Sequence, residues 1–417
     1  EKETPNDIFL NQPIRGESIS YTFKEVGIQA RKVAYHIKGY GLPEKSHIAL
    51  LSKNCAHWVI ADLAIMMAGY VTIPLYATLN AKSIDQLLEH SESQAVIIGK
   101  LDNFDSQRSG IKNIPKLSID LYGENDGDLW SEIIKKQDAL SDLHQQDNED
   151  LVTIIYTSGT TGNPKGVMHT VGNFMKSSYA LIEEYPVPKK PNLFSYLPLA
   201  HVAERVGITV LGLILGAKIS FAESLETFAV NLEDTQPDIF FAVPRIWTKF
   251  QEKILENIPQ KRLNIILAIP FLNTIFKNKL KLKLGLSKAK LIVSAAAPLA
   301  ISSMNWYKKL GIDILQLYGM TEDCVISHGN RPAENKIGTV GKAHSSVSAK
   351  LSEEGEILIK NKCLMKGYFK EPELTKQSFT HDEYLKTGEV GEYDHDGFLT
   401  ITGRIKDQFK TDKGKYI

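Results

Sequence analysis

Apolar residues recur at helical spacing over Phe23–Lys38, condense into a β-branched run at His47–Leu51, return to helical spacing over 58–68, and condense again at 71–74. Three- and four-residue spacing marks a helix with one buried face, and short β-branched runs mark strands. Their alternation predicts an α/β sheet. Residues 101–150 break the rhythm, being polar with acidic and amide clusters such as 145–150, and read as a connecting excursion. The alternation then resumes: a helix end and a buried strand within 211–221, and strands at 239–243, 291–294 and 313–317. Beyond about Gly338 the period becomes two. Runs at 348–351 and 356–360 flank a Glu-Glu-Gly turn, and 391–393 and 398–401 flank Asp396-Gly397, so two hairpins are expected.

At 417 residues the chain exceeds one small core and calls for two or three lobes. Lysine plus arginine and aspartate plus glutamate both number 49, so no net field points to nucleic acid. Cys55, Cys324 and Cys363 are far apart and form no Cys-x-x-Cys pair, which argues against disulfides or a zinc site and for a reducing, cytoplasmic address. The first sixteen residues lack the charged-then-apolar order of a signal peptide. The longest apolar stretches, 206–217 and 263–276, fall short of the ~20 residues of a spanning helix.

Candidate chemistry concentrates first at Thr153-Ile-Ile-Tyr-Thr-Ser-Gly-Thr-Thr-Gly-Asn-Pro-Lys-Gly-Val167, an apolar strand entering a loop of hydroxyls and glycines. Gly159, Gly162 and Gly166 let backbone N–H groups turn toward an anion, Thr157, Ser158, Thr160 and Thr161 add hydroxyl donors, and Lys165 adds a charge. The order Gly-x-x-Gly-x-x-Lys-Gly is not that of a Walker loop.

This loop resembles the signature of the adenylate-forming enzymes, the family of acyl-CoA synthetases, luciferases and peptide-synthetase adenylation domains. Further motifs of the family follow along the chain. Tyr196-Leu-Pro-Leu-Ala-His-Val-Ala-Glu-Arg205 is similar to the histidine motif of the long-chain fatty acid-CoA ligase branch, where the residue matching His201 lines the junction of acyl and nucleotide sites. Shaping the acyl entrance suits His201 better than base catalysis, because a carboxylate is already ionised at neutral pH. Gln316-Leu-Tyr-Gly-Met-Thr-Glu322 ends an expected strand, where ligand loops of α/β sheets sit. There the resemblance implies nucleotide contacts from Gln316, Tyr318, Gly319 and Thr321, with Tyr318 facing adenine and Thr321 the α-phosphate, and Mg²⁺ contacts from Glu322 and Thr157. Ala296, Ala297 and Pro298 match the loop forming a floor for adenine and the acyl end, though the family often has glycine at two positions that are Ala295 and Ala296 here. Val243-Pro-Arg-Ile-Trp-Thr-Lys249 resembles the long-chain branch as well, with Trp247 read as core. Glu389, in Lys-Thr-Gly-Glu, stands where most members carry a ribose-binding aspartate, and keeps both acceptor oxygens at one methylene more. Gly403-Arg-Ile-Lys-Asp-Gln-Phe-Lys410 matches the hinge, making Arg404 and Lys410 further nucleotide contacts and Asp407 the pivot.

The resemblance implies an α/β adenylate-forming N-terminal fold: interleaved α/β lobes over 1–337, a small β-rich subdomain over 338–402 and a hinge over 403–417. Members continue past the hinge for roughly a hundred residues as a mobile cap, so the chain corresponds to the large N-terminal part and is expected to be impaired alone. The implied reaction joins a fatty acid to AMP from ATP, with Mg²⁺, and then transfers the acyl group to coenzyme A. Transfer to a carrier protein and a silent nucleotide-binding module remain alternatives. Residues 261–290 combine an apolar run with Lys261, Arg262, Lys277, Lys279, Lys281, Lys283, Lys288 and Lys290 and no acidic residue. Two readings stay open: a peripheral patch meeting anionic lipid, or a buried segment followed by a solvated basic face.

Overall fold

The computed structural model describes residues 1–157 and 164–407. In chain order its main elements are β1 (Ile8–Ile14), β2 (Glu17–Thr22), α1 (Phe23–Lys38), β3 (His47–Leu51), α2 (Ala56–Met67), β4 (Val71–Leu75), α3 (Ala81–His90), β5 (Ser93–Ile98), β6 (Lys116–Ser118), β7 (Asp128–Leu129), α4 (Trp130–Lys136), β8 (Leu151–Thr157), β9 (Lys165–Thr170), α5 (Val171–Glu184), β10 (Asn192–Ser195), α6 (Val202–Glu204), α7 (Leu211–Leu215) and β11 (Lys218–Phe221). They continue with α8 (Phe228–Thr235), β12 (Ile239–Ala242), α9 (Pro244–Asn257), α10 (Gln260–Ala268), α11 (Pro270–Lys283), β13 (Leu291–Ser294), α12 (Ile301–Lys309), β14 (Leu315–Tyr318), β15 (His328–Gly329), β16 (Lys342–Ala343), β17 (Ser348–Leu351), β18 (Glu356–Lys360), β19 (Gly367–Tyr368), α13 (Pro372–Gln377), β20 (Leu385–Tyr393) and β21 (Leu399–Arg404).

Residues Glu1–Ser178, Lys189–Asn231 and Met365–Pro372 form one compact unit. Its eight-stranded sheet runs β19-β9-β8-β4-β3-β5-β6-β7. From β8 to β7 the strands are parallel, and β9 and β19 are antiparallel additions. Parallel strands are covered on both faces, so β3 and β4 read as nearly continuous apolar runs, and Ile48 to Leu51 have no exposure. The helix α1 starts where Thr22 and Glu25 close a capping box: the Thr22 hydroxyl accepts from the Glu25 N–H and the Glu25 carboxylate accepts from the Thr22 N–H. Phe23, Val26, Ala30, Val33 and Ile37 then line its buried face. In the same unit β1 pairs with β2 and β11, and β11 with β10.

The second unit comprises Tyr179–Pro188, Leu232–Leu364 and the chain from Glu373 on. Here β12, β13 and β14 are parallel neighbours, extended by antiparallel β15 and β16. A separate four-stranded antiparallel sheet runs β17-β18-β20-β21. Both expected hairpins are in it, and Gly397 supplies the positive φ, +82°, that the second turn requires.

The expected α/β class with a small β-rich part is thus observed, with three local corrections. Residues 101–150 are not merely connecting: β6 and β7 extend the sheet, and Leu117, Ile119 and, from α4, Trp130 and Ile133 are buried in the core. The strand expected at 313–317 is shifted to Leu315–Tyr318. The first residues, read only for the absence of a leader, form the hairpin β1–β2 through Arg15 and Gly16, both at positive φ, with Phe9 and Leu10 buried. Among the described residues no helix is long and apolar enough to cross a membrane.

Candidate active site

In the first unit, β8 and β9 form an antiparallel pair in which Thr157, the last residue of β8, lies opposite Lys165, the first of β9. Ile154 and Ile155 anchor β8 in the core, and Thr153 donates its hydroxyl to the Thr72 carbonyl on β4 at 2.8 Å. The strand end carrying Thr157 is therefore held rigidly. The Lys165 ammonium lies 5.2 Å from the centre of the Tyr368 ring, because β19 pairs with β9 and puts Tyr368 opposite Val167. Tyr368 received no role from sequence; only the strand pairing reveals its place. Gly166 has a different reason from the one expected. It lies in β9 opposite Tyr156, and a side chain there would start 2.7 Å from a methyl of Ile154 and 3.3 Å from the Tyr156 ring. Packing within the sheet, rather than turning an N–H toward an anion, explains it. Ser158, Gly159, Thr160, Thr161 and Gly162 lie outside the described residues, as does Lys410.

The histidine motif follows β10 in the same unit and is pinned by a buried polar network. The Asn54 amide donates to the Ser195 hydroxyl at 2.8 Å and accepts from the Leu199 N–H at 3.0 Å. Ser195 in turn donates to the Glu204 carboxyl at 2.8 Å, which also accepts from the Tyr196 N–H at 3.0 Å. Burial nevertheless pushes the Glu204 carboxyl up to about 8, outweighing these donors. His201 caps α6: its Nδ1 accepts from the Ala203 N–H at 3.1 Å. That bond leaves the proton on Nε2, and burial lowers the ring's pKa, so His201 presents a neutral N–H donor. Arg205 is wholly buried and pairs with Asp62, with Nε to Oδ2 at 3.0 Å, while the Thr72 hydroxyl donates to Oδ1 at 2.7 Å. A turn of π-helix, Arg205–Val210, follows. Sequence identified His201 but not the Asn54–Ser195–Glu204 and Asp62–Arg205 partnerships that fix its segment.

The second unit gathers the remaining candidates at the carboxyl ends of β13 and β14. Ser294 and Gln316 are adjacent in register there, and the buried Ser294 hydroxyl has no hydrogen-bond partner among the described residues. Ala296, Ala297 and Pro298 follow with their side chains exposed. Ala296 holds φ at +71°, so this loop keeps a glycine-like backbone while carrying a methyl. Trp247 is core as expected, fully buried with its indole N–H donated to the Ala242 carbonyl.

Beyond β14, Gly319 is required by its surroundings, since a Cβ would lie 2.6 Å from the backbone of Val325. That contact exists because Cys324 and Val325 both take positive φ and fold the chain back. Thr321, Glu322 and Asp323 form the intervening turn, and all three are buried. Asp323 accepts from the Met320 N–H at 2.9 Å, and burial pushes its carboxyl up to about 8. Tyr318 and Glu389 are close: burial first, and then the Glu389 carboxylate, raise the Tyr318 hydroxyl well above its ordinary value. Glu389 on β20 is in turn directly opposite Arg404 on β21. Residues 318, 389 and 404 are thus brought together within this unit.

A magnesium ion is compatible with the donors. Mg²⁺ takes hard oxygens and usually one or two protein ligands beside substrate phosphates. The Glu322 carboxylate and the Thr157 hydroxyl are of that type, and among the described residues no group of three or more His, Cys, Asp or Glu forms an all-protein cage.

The sheets and their connections are those of the adenylate-forming class of protein, whose solved members share this fold. The chain belongs to the AMP-binding enzyme family, whose model matches residues 1–369. It is similar to fadD11 of Mycobacterium tuberculosis, 31% identical over 325 residues that cover 71% of this chain and 56% of that protein. The long-chain-fatty-acid–CoA ligase FadD15 of Mycobacterium bovis is 28% identical over 455 residues, covering 100% of this chain and 75% of its own. The chain therefore spans only a little over half of the first relative and three quarters of the second. Among solved structures, ATP-bound MatB from Rhodopseudomonas palustris has the same fold, with a TM-score of 0.80 at 24% identity over 99% of this chain and 78% of that one.

Proposed function

We propose that this chain is the nucleotide- and acyl-binding part of an AMP-forming ligase that activates a long-chain fatty acid with ATP and passes it to coenzyme A. The observation that carries the reading is the grouping of Tyr318 beside Glu389 and of Glu389 opposite Arg404. An aromatic face, a two-oxygen acceptor and a cation are what adenine, ribose hydroxyls and phosphate respectively call for. The fatty-acid ligase named among the relatives supports the choice of acid.

In the first step a carboxylate oxygen of the fatty acid attacks the α-phosphorus of ATP. The bond from that phosphorus to the bridging oxygen breaks, and pyrophosphate leaves with the electron pair. The thiol of coenzyme A then adds to the acyl carbon of the resulting mixed anhydride, its proton passes to solvent, and AMP departs. Neither step needs a protein nucleophile, so the residues act by positioning and by neutralising charge. Lys165 and Thr157 present a cation and a hydroxyl to the leaving phosphates. Tyr318 and Glu389 hold the nucleoside, and Arg404 and Thr321 the phosphate. Mg²⁺, with Glu322 as a protein ligand, would supply charge neutralisation on the phosphate oxygens. His201, neutral and donating from Nε2, orients the acyl end without taking a proton.

Fatty-acid-dependent exchange of pyrophosphate into ATP by the complete protein tests this. Glu322→Ala is expected to abolish exchange; exchange at the wild-type rate would overturn the assignment. Offering coenzyme A and a phosphopantetheinyl carrier protein side by side then identifies the acceptor.

A further inference from the structure

The helices α10 and α11 meet at Ile269 and leave an unusual surface in the second unit. Leu263 is the one residue buried in α10, and α11 buries none. Phe271 is 75% exposed and Ile265 63%, with Ile269, Leu272 and Ile275 also exposed beside them. Five large apolar side chains within eleven residues form a patch, not the scattered single exposures of an ordinary surface. Phe271, Leu272 and Ile275 fall at helical spacing on one stripe of α11. The segment is thus only partly buried: Leu263 is enclosed, Ile266, Leu267, Phe276 and Leu280 are half-buried, and Ile265, Ile269, Phe271, Leu272 and Ile275 face outward.

Charge is equally one-sided. Between Asn257 and Ile312 there is no acidic residue, while Lys261, Arg262, Lys277, Lys279, Lys281, Lys283, Lys288, Lys290, Lys308 and Lys309 supply ten cations. Lys283 pairs with Glu233 at 3.0 Å and Lys290 approaches Asp238 at 4.0 Å. Lys261, Arg262, Lys277, Lys279 and Lys281 enter no ion pair among the described residues. The hairpin is fixed rather than dangling, because the Trp306 indole on α12 donates to the Gln260 side chain at 2.8 Å.

We propose that the α10–α11 hairpin docks on the surface of a bilayer containing anionic phospholipid, inserting Ile265, Phe271 and Leu272 among the acyl chains while the lysines meet headgroup phosphates. An apolar stripe flanked by unpaired cations is complementary to such a surface in both respects: the stripe leaves water and the cations face negative charge. The inference stands on exposure and charge and does not rest on the proposed reaction, although a fatty acid dissolved in membrane would give the docking a use.

Co-sedimentation of the full chain with phosphatidylcholine vesicles, with and without phosphatidylglycerol, tests it at low and at 0.5 M salt. Binding is expected only with phosphatidylglycerol and is lost at high salt. A near-surface lysine is worth about a fivefold change in partitioning, so joint Lys277→Gln, Lys279→Gln and Lys281→Gln should weaken binding roughly a hundredfold. The pair Phe271→Ser and Leu272→Ser, which disturbs no buried side chain, should weaken it at least about tenfold. No binding at low salt, or binding indifferent to both sets of substitutions, overturns the proposal. So does concentration-dependent self-association abolished by the serine pair, which would assign the patch to a second copy.

Discussion

The ion pair between Asp62 and Arg205 offers the sharpest test of how the histidine segment is held. Both side chains are almost free of solvent, at 5% and 1% exposure, and the guanidinium lies 5.6 Å and 5.3 Å from the ring centres of Trp58 and Phe174. Asp62→Asn removes the carboxylate charge but keeps an acceptor for the Thr72 hydroxyl, so the principal loss is the counter-charge of a buried guanidinium. Leaving such a charge uncompensated costs about 3–5 kcal/mol, a large part of the 5–15 kcal/mol that keeps a domain folded. The pair itself is a different matter, because removing both charges also removes both desolvation costs. The double variant Asp62→Leu with Arg205→Met should therefore lie within about 1 kcal/mol of wild type. Amide hydrogen exchange resolved over α2, α6 and the π-helical turn reads the difference where it arises. Asp62→Asn is expected to exchange there roughly a hundred to a few thousand times faster, and the double variant close to wild type. An Asp62→Asn effect below about fivefold would mean the guanidinium finds water or another partner, and the account of the segment's anchoring would fail.

Two further outcomes follow from the same structure. Gly319→Ala should destabilise the turn carrying Thr321 and Glu322, since its methyl would need the Val325 backbone to move; exchange in 318–326 as slow as in wild type would contradict this. His57 is buried between the Tyr122 and Tyr21 hydroxyls, and burial lowers its pKa from 6.5 to about 4. The folded state then binds fewer protons than the unfolded state between those values, so this contribution is present above pH 6.5 and is lost as pH falls toward 4. The stability advantage of wild type over His57→Gln should shrink by about 3 kcal/mol between pH 7.5 and 4. Denaturation midpoints whose difference is independent of pH would refute it.

What the chain disclosed in advance, and what it withheld, follow from the range over which each cause acts. The span of α1 was readable because its apolar residues recur at helical spacing, and that of β3 because a buried parallel strand needs no alternation. The Asp396-Gly397 turn was readable because a positive φ favours glycine. The strands β6 and β7 were not, being three and two residues long, with apolar anchors scattered through a polar background. Glu204 and Arg205 stood inside a motif matched only for its histidine, while Asn54 and Asp62, their partners, lie about 150 residues earlier, where no local pattern points to them.

The motif glycines make the same point from the other side. A conformational reading makes each glycine in a ligand loop a place where backbone turns toward the ligand. Yet Gly166 is determined by Ile154 and Tyr156 in a sheet, and Gly319 by the returning backbone at Val325. Ala296 shows the converse, a position at φ +71° where a methyl is carried despite a backbone that favours glycine. Holding a non-glycine residue in that region costs on the order of 1–2 kcal/mol, so the surrounding loop must supply the compensation. The strand that carries Lys165 and the turn that carries Glu322 are therefore shaped in large part by the protein's own packing. Substituting these glycines should disturb the site through the fold, even where no ligand atom comes near them.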